Sequence, residues 1–438
     1  MASKIRENYD ALPYPTVIVI GGGFAGLEMV KRLAGKPFKV MLLDRQNHHC
    51  FQPLLYQVAT ASLGADSIAH PFRRTIGPMP NVAFRMCNVL SISRDRNEVI
   101  TDRGQFSYDI LIVATGSTTN FFGNKEVEAH AMQLKSIGQA LDIRSDFLQD
   151  FEAALYLEDE HEQRRQLNFV IVGGGPTGVE LAGAMAEIRR TVLKREYREM
   201  DSERMQIHLI DSNHALLRSF SEDSQKKALE YVEGMGVKVR FGQRVVGCSD
   251  DHVTFKDGSS MATNTVIWAA GVKGTCLPGL EAGFHAEANR YKVDTFNRVE
   301  GTSNIYALGD VALMTNAPDW PRGHPQVAPA AIQQATHLAK NLLRKPGEWV
   351  PFTYKDKGSM ATIGRYKAVL DVGKLHITGP VAWFGWIFVH VMSLVSFRNR
   401  MLVLFNWAWK YISWKNTIRL IIRPYVRKTT VAAHELTT

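Results

Sequence analysis

Apolar and polar positions along the chain trace the same pattern twice. The apolar run VIVI at 17–20 meets a glycine turn, then FAGLEMVKRL with apolar residues at helical spacing, then a second apolar run, VMLLD at 40–44. Short apolar runs bounded by turn signals and separated by an amphipathic stretch predict strand, turn, helix and strand in a parallel sheet covered on both faces. The order returns in FVIVGGGPTGVELAGA at 169–184 and MQIHLID at 205–211, with the helix-like AEIRRTVLKREYREM lengthening the second unit. Three more β-rich runs, DILIVATGS at 109–117, TVIWAAGV at 265–272 and SNIYALGDVA at 303–312, end in small residues. Such endings suit strands whose tips pass close to a bound group.

The turns carry chemistry. Gly21, Gly23 and Gly26 stand at GxGxxG spacing, and so do Gly173, Gly175 and Gly178. The first glycine allows the tight turn, the second lets a pyrophosphate approach the backbone, and the third lets helix close on strand. Phosphate then lies at the helix N-terminus. Asp44 ends the next strand 18 residues after Gly26, placed to accept hydrogen bonds from ribose hydroxyls, and Asp211 does the same 33 residues after Gly178. The carboxylate of Asp211, followed by Ser212, Asn213 and His214 with no adjacent Arg, favours NAD over NADP, because a 2′-phosphate would be repelled. The chain therefore carries two dinucleotide sites.

Length and cysteine usage narrow the class. A chain of 438 residues is long enough for two or three domains. Cys50, Cys87, Cys248 and Cys276 form no CxxC pair, which argues against a metal knuckle, a disulfide scaffold or a redox dithiol. No metal is expected. The N-terminal MASKIRENYDALPYP lacks an apolar core, so neither a signal peptide nor a presequence is expected.

The net charge of +9 is local: nine basic residues and no acid lie between Val372 and His434, from Lys374 through Arg398, Arg400, Lys410, Lys415, Arg419, Arg423 and Arg427 to Lys428. An excess confined to an apolar, Trp-rich end suggests anionic lipid rather than nucleic acid. Residues 381–397 are uncharged over 17 positions, at the lower bound for a spanning helix and interrupted by His390. Helices lying in the interface fit better, with Trp383, Trp386, Trp407, Trp409 and Trp414 at headgroup depth and Asn399, Asn406, Lys410, Ser413 and Thr417 on a polar stripe. An apolar dimer interface is the other reading of the same stretch.

The ordered set of two GxGxxG units followed by Gly309 and Asp310 resembles the flavoproteins with two dinucleotide-binding domains. FQPLLYQVAT at 51–60, GGGPTGVELAG, VAPAAIQQA at 327–335 and the aromatic basic tail are more specifically similar to the type II, non-proton-pumping NADH:quinone oxidoreductases. That resemblance implies an α/β fold with FAD and NADH domains, both Rossmann-like, and a C-terminal amphipathic helical segment anchoring it to the membrane. The FAD domain is expected over 1–118 and 300–350, the NADH domain over 119–299, and membrane docking over 351–438.

Residue by residue, the resemblance implies non-covalent FAD at Gly21, Gly23, Phe24, Ala25, Gly26, Asp44, Arg45, Gln52, Val89, Ala114, Thr115, Gly116, Gly309 and Asp310. The Asp310 side chain could also cap the following helix. NADH is expected at Gly173, Gly175, Pro176, Thr177, Gly178, Asp211, Ala270 and Gly271, and quinone at Phe51, Pro53, Tyr56, Pro329, Ile332 and Gln333. Pro329 stands where many members have Gln, leaving Gln333 as the candidate for the quinone head group; as surface helix residues Gln333 and Gln334 would need no such role. Glu180 in GVE is expected near the nicotinamide, orienting NADH or assisting proton delivery; its position in the first helical turn is also simply favourable for a carboxylate. Expected partners are NADH, a membrane ubiquinone or menaquinone, an anionic membrane surface and a second copy in a homodimer, on the cytoplasmic face of a bacterial inner membrane.

Related chemistries make other demands. A disulfide reductase would need a second cysteine near Cys50, where position 55 is Leu; a sulfide:quinone oxidoreductase would lack the second nucleotide motif. A soluble diaphorase, or an NADH oxidase or peroxidase cycling Cys50 through sulfenic acid, is the alternative.

Overall fold

A computed structural model describes residues 9–280, 285–413 and 419–427. The elements that position the site are strands β1 Thr16–Ile20, β2 Lys39–Asp44, β3 Val82–Met86, β4 Ile110–Val113, β5 Asn168–Val172, β6 Gln206–Ile210, β7 Lys238–Arg240, β8 Thr265–Trp268, β9 Ile305–Ala307, β10 Ser359–Gly364, β11 Lys367–Val372 and β12 Leu375–Thr378. The helices are α1 Phe24–Leu33, α2 Leu55–Ala59, α3 Ile137–Ala154, α4 Pro176–Ile188, α5 Ala328–Leu342, α6 Pro380–Ser393 and α7 Phe397–Ser413.

The chain divides into two units, one of residues 1–50, 70–118 and 272–357, the other of 51–69, 119–271 and 358–438. The expected division kept 51–69 with the first domain, 272–299 with the second and the tail apart. By their contacts, 272–299 belong with the first unit, and both 51–69 and the tail with the second.

Unit one is built on a five-stranded sheet of order β9-β4-β1-β2-β3. Every pairing in it is parallel. Val17, Ile18 and Val19 are fully buried, which is why β1 reads as an unbroken apolar run. Helix α1 packs on α5, and the ring of Phe24 meets His49 edge-on.

Unit two repeats the plan: the strand Met132–Gln133, then β8, β5, β6 and β7, again parallel. The helix expected after 184 is α4, which runs on into a π turn at Arg189–Leu193. There the buried Arg189 guanidinium donates to the carbonyls of Met205 and Met235.

The tail belongs to this unit because its antiparallel sheet β10-β11-β12 lies on α4. Gly183 permits that approach: a Cβ there would sit 1.7 Å from the carbonyl oxygen of Ile363. No helix among the described residues is long and apolar enough to cross a membrane.

Helix α7 reverses the expected face. Asn399 is 3% exposed, and its amide donates to the carbonyls of Asp66, Ser67 and Ala69 at the end of the short helix Ala65–Ile68. Those carbonyls have no partner within so short a helix, so a side-chain amide is the natural donor. Trp383, Trp386 and Trp407 are buried rather than at headgroup depth, while Phe397, Phe405 and Trp409 stand exposed.

The basic tail also differs from the expectation. Arg419 pairs with Glu196, Arg423 with Asp142, and Arg427 with both Asp146 and Asp150 of α3. Arg398 also pairs with Asp66, so four of the six tail cations whose side chains are described are answered by protein carboxylates. Trp414, Lys415, Thr417 and Lys428 lie outside the described residues, as do the side chains of Lys410, Ile412 and Ser413.

Candidate active site

Two cradles of the same geometry stand at the ends of β1 and β5. In unit one Gly21 has φ +97°, and a Cβ on it would lie 2.4 Å from the Ala114 carbonyl oxygen; one on Gly26 would lie 1.8 Å from the oxygen of Gly21. Only glycine fits at either place. A Cβ on Gly23 would meet nothing within 4 Å, so the space beside it is open. Asp44 accepts from the amides of Gly22 at 2.6 Å and Gln46 at 2.7 Å. Burial raises its carboxyl, and those two amides counter the shift.

In unit two Gly173 has φ +116°, and a Cβ on it would lie 2.6 Å from the oxygen of Ala269; one on Gly178 would lie 1.9 Å from the oxygen of Gly173, and beside Gly175 the space is open. Asp211 accepts from the amide of Gly174 at 2.6 Å and from the backbone and side chain of Asn213 at 2.7 Å each. The helices Lys125–His130, α3, Glu160–Gln166 and Glu222–Glu233 begin under side-chain caps from Asn124, Ser136, Asp159 and Ser221. Helices α1 and α4 have none. These uncapped starts adjoin the open space at Gly23 and Gly175, and their first-turn N–H groups, which in α4 begin at Thr177 because Pro176 has none, fit a pyrophosphate with a ribose on the neighbouring acid.

Packing of α5 on α1 carries Gly309 to the first cradle: its missing Cβ would be 3.2 Å from that of Ala331 and 3.6 Å from that of Ala25. Ser117 donates to Asp310 Oδ2 at 2.6 Å, and Gln326 to the Asp310 carbonyl. Asp310 lies inside the turn Gly309–Val311, and the helix that follows, α5, begins at Val327 without a side-chain cap, so Asp310 does not cap it. Thr115 donates to the carbonyl of Thr275. Gly116 is left-handed at φ +68°, Val89 packs against the core of unit one, and Arg45 is exposed.

Gln334 is not at the helix surface expected of it. It is 2% exposed, and its Oε1 accepts from the amide of Gly309 at 2.7 Å. Gln333 next to it uses its amide on the backbone of Lys355, donating to the carbonyl and accepting from the N–H. Pro329 is half-buried in the first turn of α5, and Ile332 is exposed.

In unit two the segment that opens at Phe51 is buried, apart from exposed Gln52 and half-buried Pro53. The ring of Phe51 lies edge-on to His390, and His390 stacks on Trp386 at 4.2 Å between ring centres. Gln57 donates to the hydroxyl of Tyr56 at 2.8 Å, and the indole of Trp407 donates to Gln57 at 2.7 Å. His390 and Trp407 are the part of this network that no sequence motif announced.

Glu180, in α4 beyond the second cradle, is buried with one long hydrogen bond, 3.4 Å from the amide of Thr362. Burial pushes its carboxyl up to about 8; the Thr362 amide and the nearby Trp386 indole, which makes no hydrogen bond of ordinary geometry, counter the shift. Burial likewise pushes the Cys50 thiol up to about 12. It is therefore a thiol, not the thiolate that a peroxidase cycle requires.

Residues 15–335 match the pyridine nucleotide-disulphide oxidoreductase family model, and 357–416 match that of the NDH2 C-terminal domain. The chain is 33% identical over 418 residues to the type II NADH:quinone oxidoreductase Ndh of Mycobacterium tuberculosis, covering 91% of this chain and 88% of that one. It belongs to the type II NADH:quinone oxidoreductases.

The Staphylococcus aureus type II NADH:quinone oxidoreductase is 28% identical over 378 residues, covering 84% of this chain and 92% of that protein. The structure of NDH2 from Plasmodium falciparum in complex with NADH superposes with a TM-score of 0.85 at 21% identity, covering 93% of this chain and all of that one, a likeness of fold. As a type II NADH:quinone oxidoreductase the chain oxidises NADH and reduces quinone without pumping protons. FAD, when bound, takes the hydride from NADH and hands two electrons on to quinone.

Proposed function

We propose that unit one holds FAD at Gly21, Gly23, Gly26, Asp44 and Asp310, that unit two holds NADH at Gly173, Gly175, Gly178, Asp211, Ala270 and Gly271, and that a membrane quinone is received beside Phe51, Pro53 and Tyr56. The observation that carries this reading is the duplicated cradle, with an uncapped helix start, an open second glycine and an acid held by backbone amides. Gln333 is committed to Lys355, so the proposed polar contact for quinone in unit two is the Tyr56–Gln57 pair. Glu180 is the proton holder, because it is buried and neutral at pH 7.

The enzyme docks on one leaflet as a peripheral, monotopic protein. Val381, Phe384 and Phe388 of α6 and Phe397, Phe405 and Trp409 of α7 are all at least 59% exposed. Aromatic and aliphatic groups left in water at that density fit the headgroup boundary. Expected surroundings are the cytoplasmic face of a bacterial inner membrane and ubiquinone or menaquinone; a homodimer sharing part of the same face is compatible with docking.

The test is a flavin spectrum of the purified protein, with vesicles present. NADH should bleach the flavin band and a long-chain quinone should restore it. Because most of the tail cations whose side chains are described are paired, binding to zwitterionic vesicles should be nearly as tight as to anionic ones and weakly dependent on salt. A protein that ignores both kinds of vesicle refutes the docking.

A further inference from the structure

The loop 120–123, Asn-Phe-Phe-Gly, treats its two phenylalanines in opposite ways. Phe121 is 3% exposed and packs on Trp268, whereas Phe122 is 68% exposed. Phe122 also has φ +53°, the left-handed region that costs a side chain of this kind about 1 kcal/mol. The loop is held in this shape: the Trp268 indole donates to the carbonyl of Asn120, the Asn120 amide donates to Gly271, and the Phe122 amide donates to Asn120 Oδ1. An exposed aromatic ring in a strained and pinned loop has two costs and no return within the protein itself.

Its place supplies the return. The ring tip of Phe122 would be 3.1 Å from a Cβ on Gly271, itself at φ +136°. Immediately before it, Ala269 and Ala270 lie against Gly173, the first glycine of the second cradle. The sheet order β8-β5-β6 fixes the direction of a dinucleotide lying there. Asp211 at the tip of β6 takes the adenosine ribose, the pyrophosphate crosses the turn after β5, and the other half of the molecule must run over the tip of β8. That tip is Ala269–Gly271, beneath Phe122.

We propose that Phe122 is a substrate-binding residue whose ring forms a wall for the nicotinamide riboside of NADH. This rests on the assignment of NADH to unit two. A flat nicotinamide against an aromatic ring gains contact beyond the area buried.

The test exploits the strain. Phe122→Gly and Phe122→Asn both suit a left-handed backbone, so neither should lower the melting temperature, and a ring with no ligand would leave kinetics unchanged. The proposal expects KM for NADH to rise about 5-fold or more in both variants, with flavin content and KM for quinone unchanged and Phe122→Tyr near wild type. Asp211→Ala is the companion variant, read for NADH in the same assay. A KM within twofold of wild type in both Phe122→Gly and Phe122→Asn overturns the role of Phe122 if Asp211→Ala raises KM. If Asp211→Ala leaves it unchanged too, the assignment of NADH to unit two fails with it.

Discussion

Replacing Glu180 by Gln should make the protein more stable at alkaline pH while changing little under acid conditions. Glu180 is 8% exposed, and the hydrogen bond it accepts from the Thr362 amide is long, 3.4 Å. Its folded-state pKa of about 8 stands above the ordinary value of 4.5. Below the lower value the carboxyl is protonated in folded and unfolded chains alike, and nothing is lost. As pH rises between the two, only the unfolded chain releases the proton, so unfolding becomes easier by about 1.4 kcal/mol per pH unit. The accumulated loss is about 3 kcal/mol at pH 7 and on the order of 5 kcal/mol once pH passes the folded value. Gln has the shape of the protonated acid and releases no proton. Urea unfolding of the FAD-loaded enzyme, followed by Trp fluorescence from pH 4.5 to 9, should therefore show the two proteins level at the acid end and diverging through neutrality. Asp150, also raised by burial, to about 7, is common to both proteins and cancels in the difference. A difference constant across this range would mean that Glu180 is ionised in the fold, and the proton-holding role would go with it.

The two open glycines give a paired test of which cradle holds which nucleotide. A Cβ on Gly175 meets no atom within 4 Å, so Gly175→Val should fold, stay yellow and raise KM for NADH about tenfold or more by intruding on the pyrophosphate; Gly23→Val should yield a colourless protein, and the opposite outcome would exchange the assignments. Trp407→Phe keeps the ring beside Trp386 and removes only the donor to Gln57, leaving a buried acceptor unpaired at a cost of about 1–3 kcal/mol. It should raise KM for quinone with NADH-to-ferricyanide turnover intact, and equal losses in both assays would reduce Trp407 to a packing residue.

What could be read from the sequence was local. The glycines of both cradles and the acids Asp44 and Asp211 declare themselves because each acts within one strand–turn–helix unit. Gly183 could have been noticed as a small residue in a helix, yet its reason, the carbonyl of Ile363, is 180 positions away. Residues 51–69 looked like a continuation of the first nucleotide unit because they follow it in sequence; they join the second through α2 on α3 and α4 and through α7. Helical spacing on α7 separated a polar from an apolar face but could not orient them. Asparagine is as good at satisfying buried carbonyls as at meeting water, and here it does the former.

That inversion changes how the tail acts. Cutting the chain after Gly379 would remove the exposed aromatics, and it would also remove Asn399, which holds residues 66–69, Trp407, which holds Gln57, and Arg427, which neutralises a buried acid pair. Within α7 the exposed Phe397, Phe405 and Trp409 proposed for docking and the buried Asn399 and Trp407 that hold residues 57–69 therefore lie on opposite faces. On the proposed reading the outer face of α7 meets lipid, while its inner face donates from Trp407 to Gln57, which donates to the Tyr56 hydroxyl, so one helix would carry both the membrane contact and a support of the proposed quinone-side segment. A truncated protein that fails with long-chain quinone has lost both functions at once. Polar substitutions confined to the outer face, at Phe405 and Trp409, should weaken the proposed lipid contact and leave the inner hydrogen bonds in place, which separates the two effects.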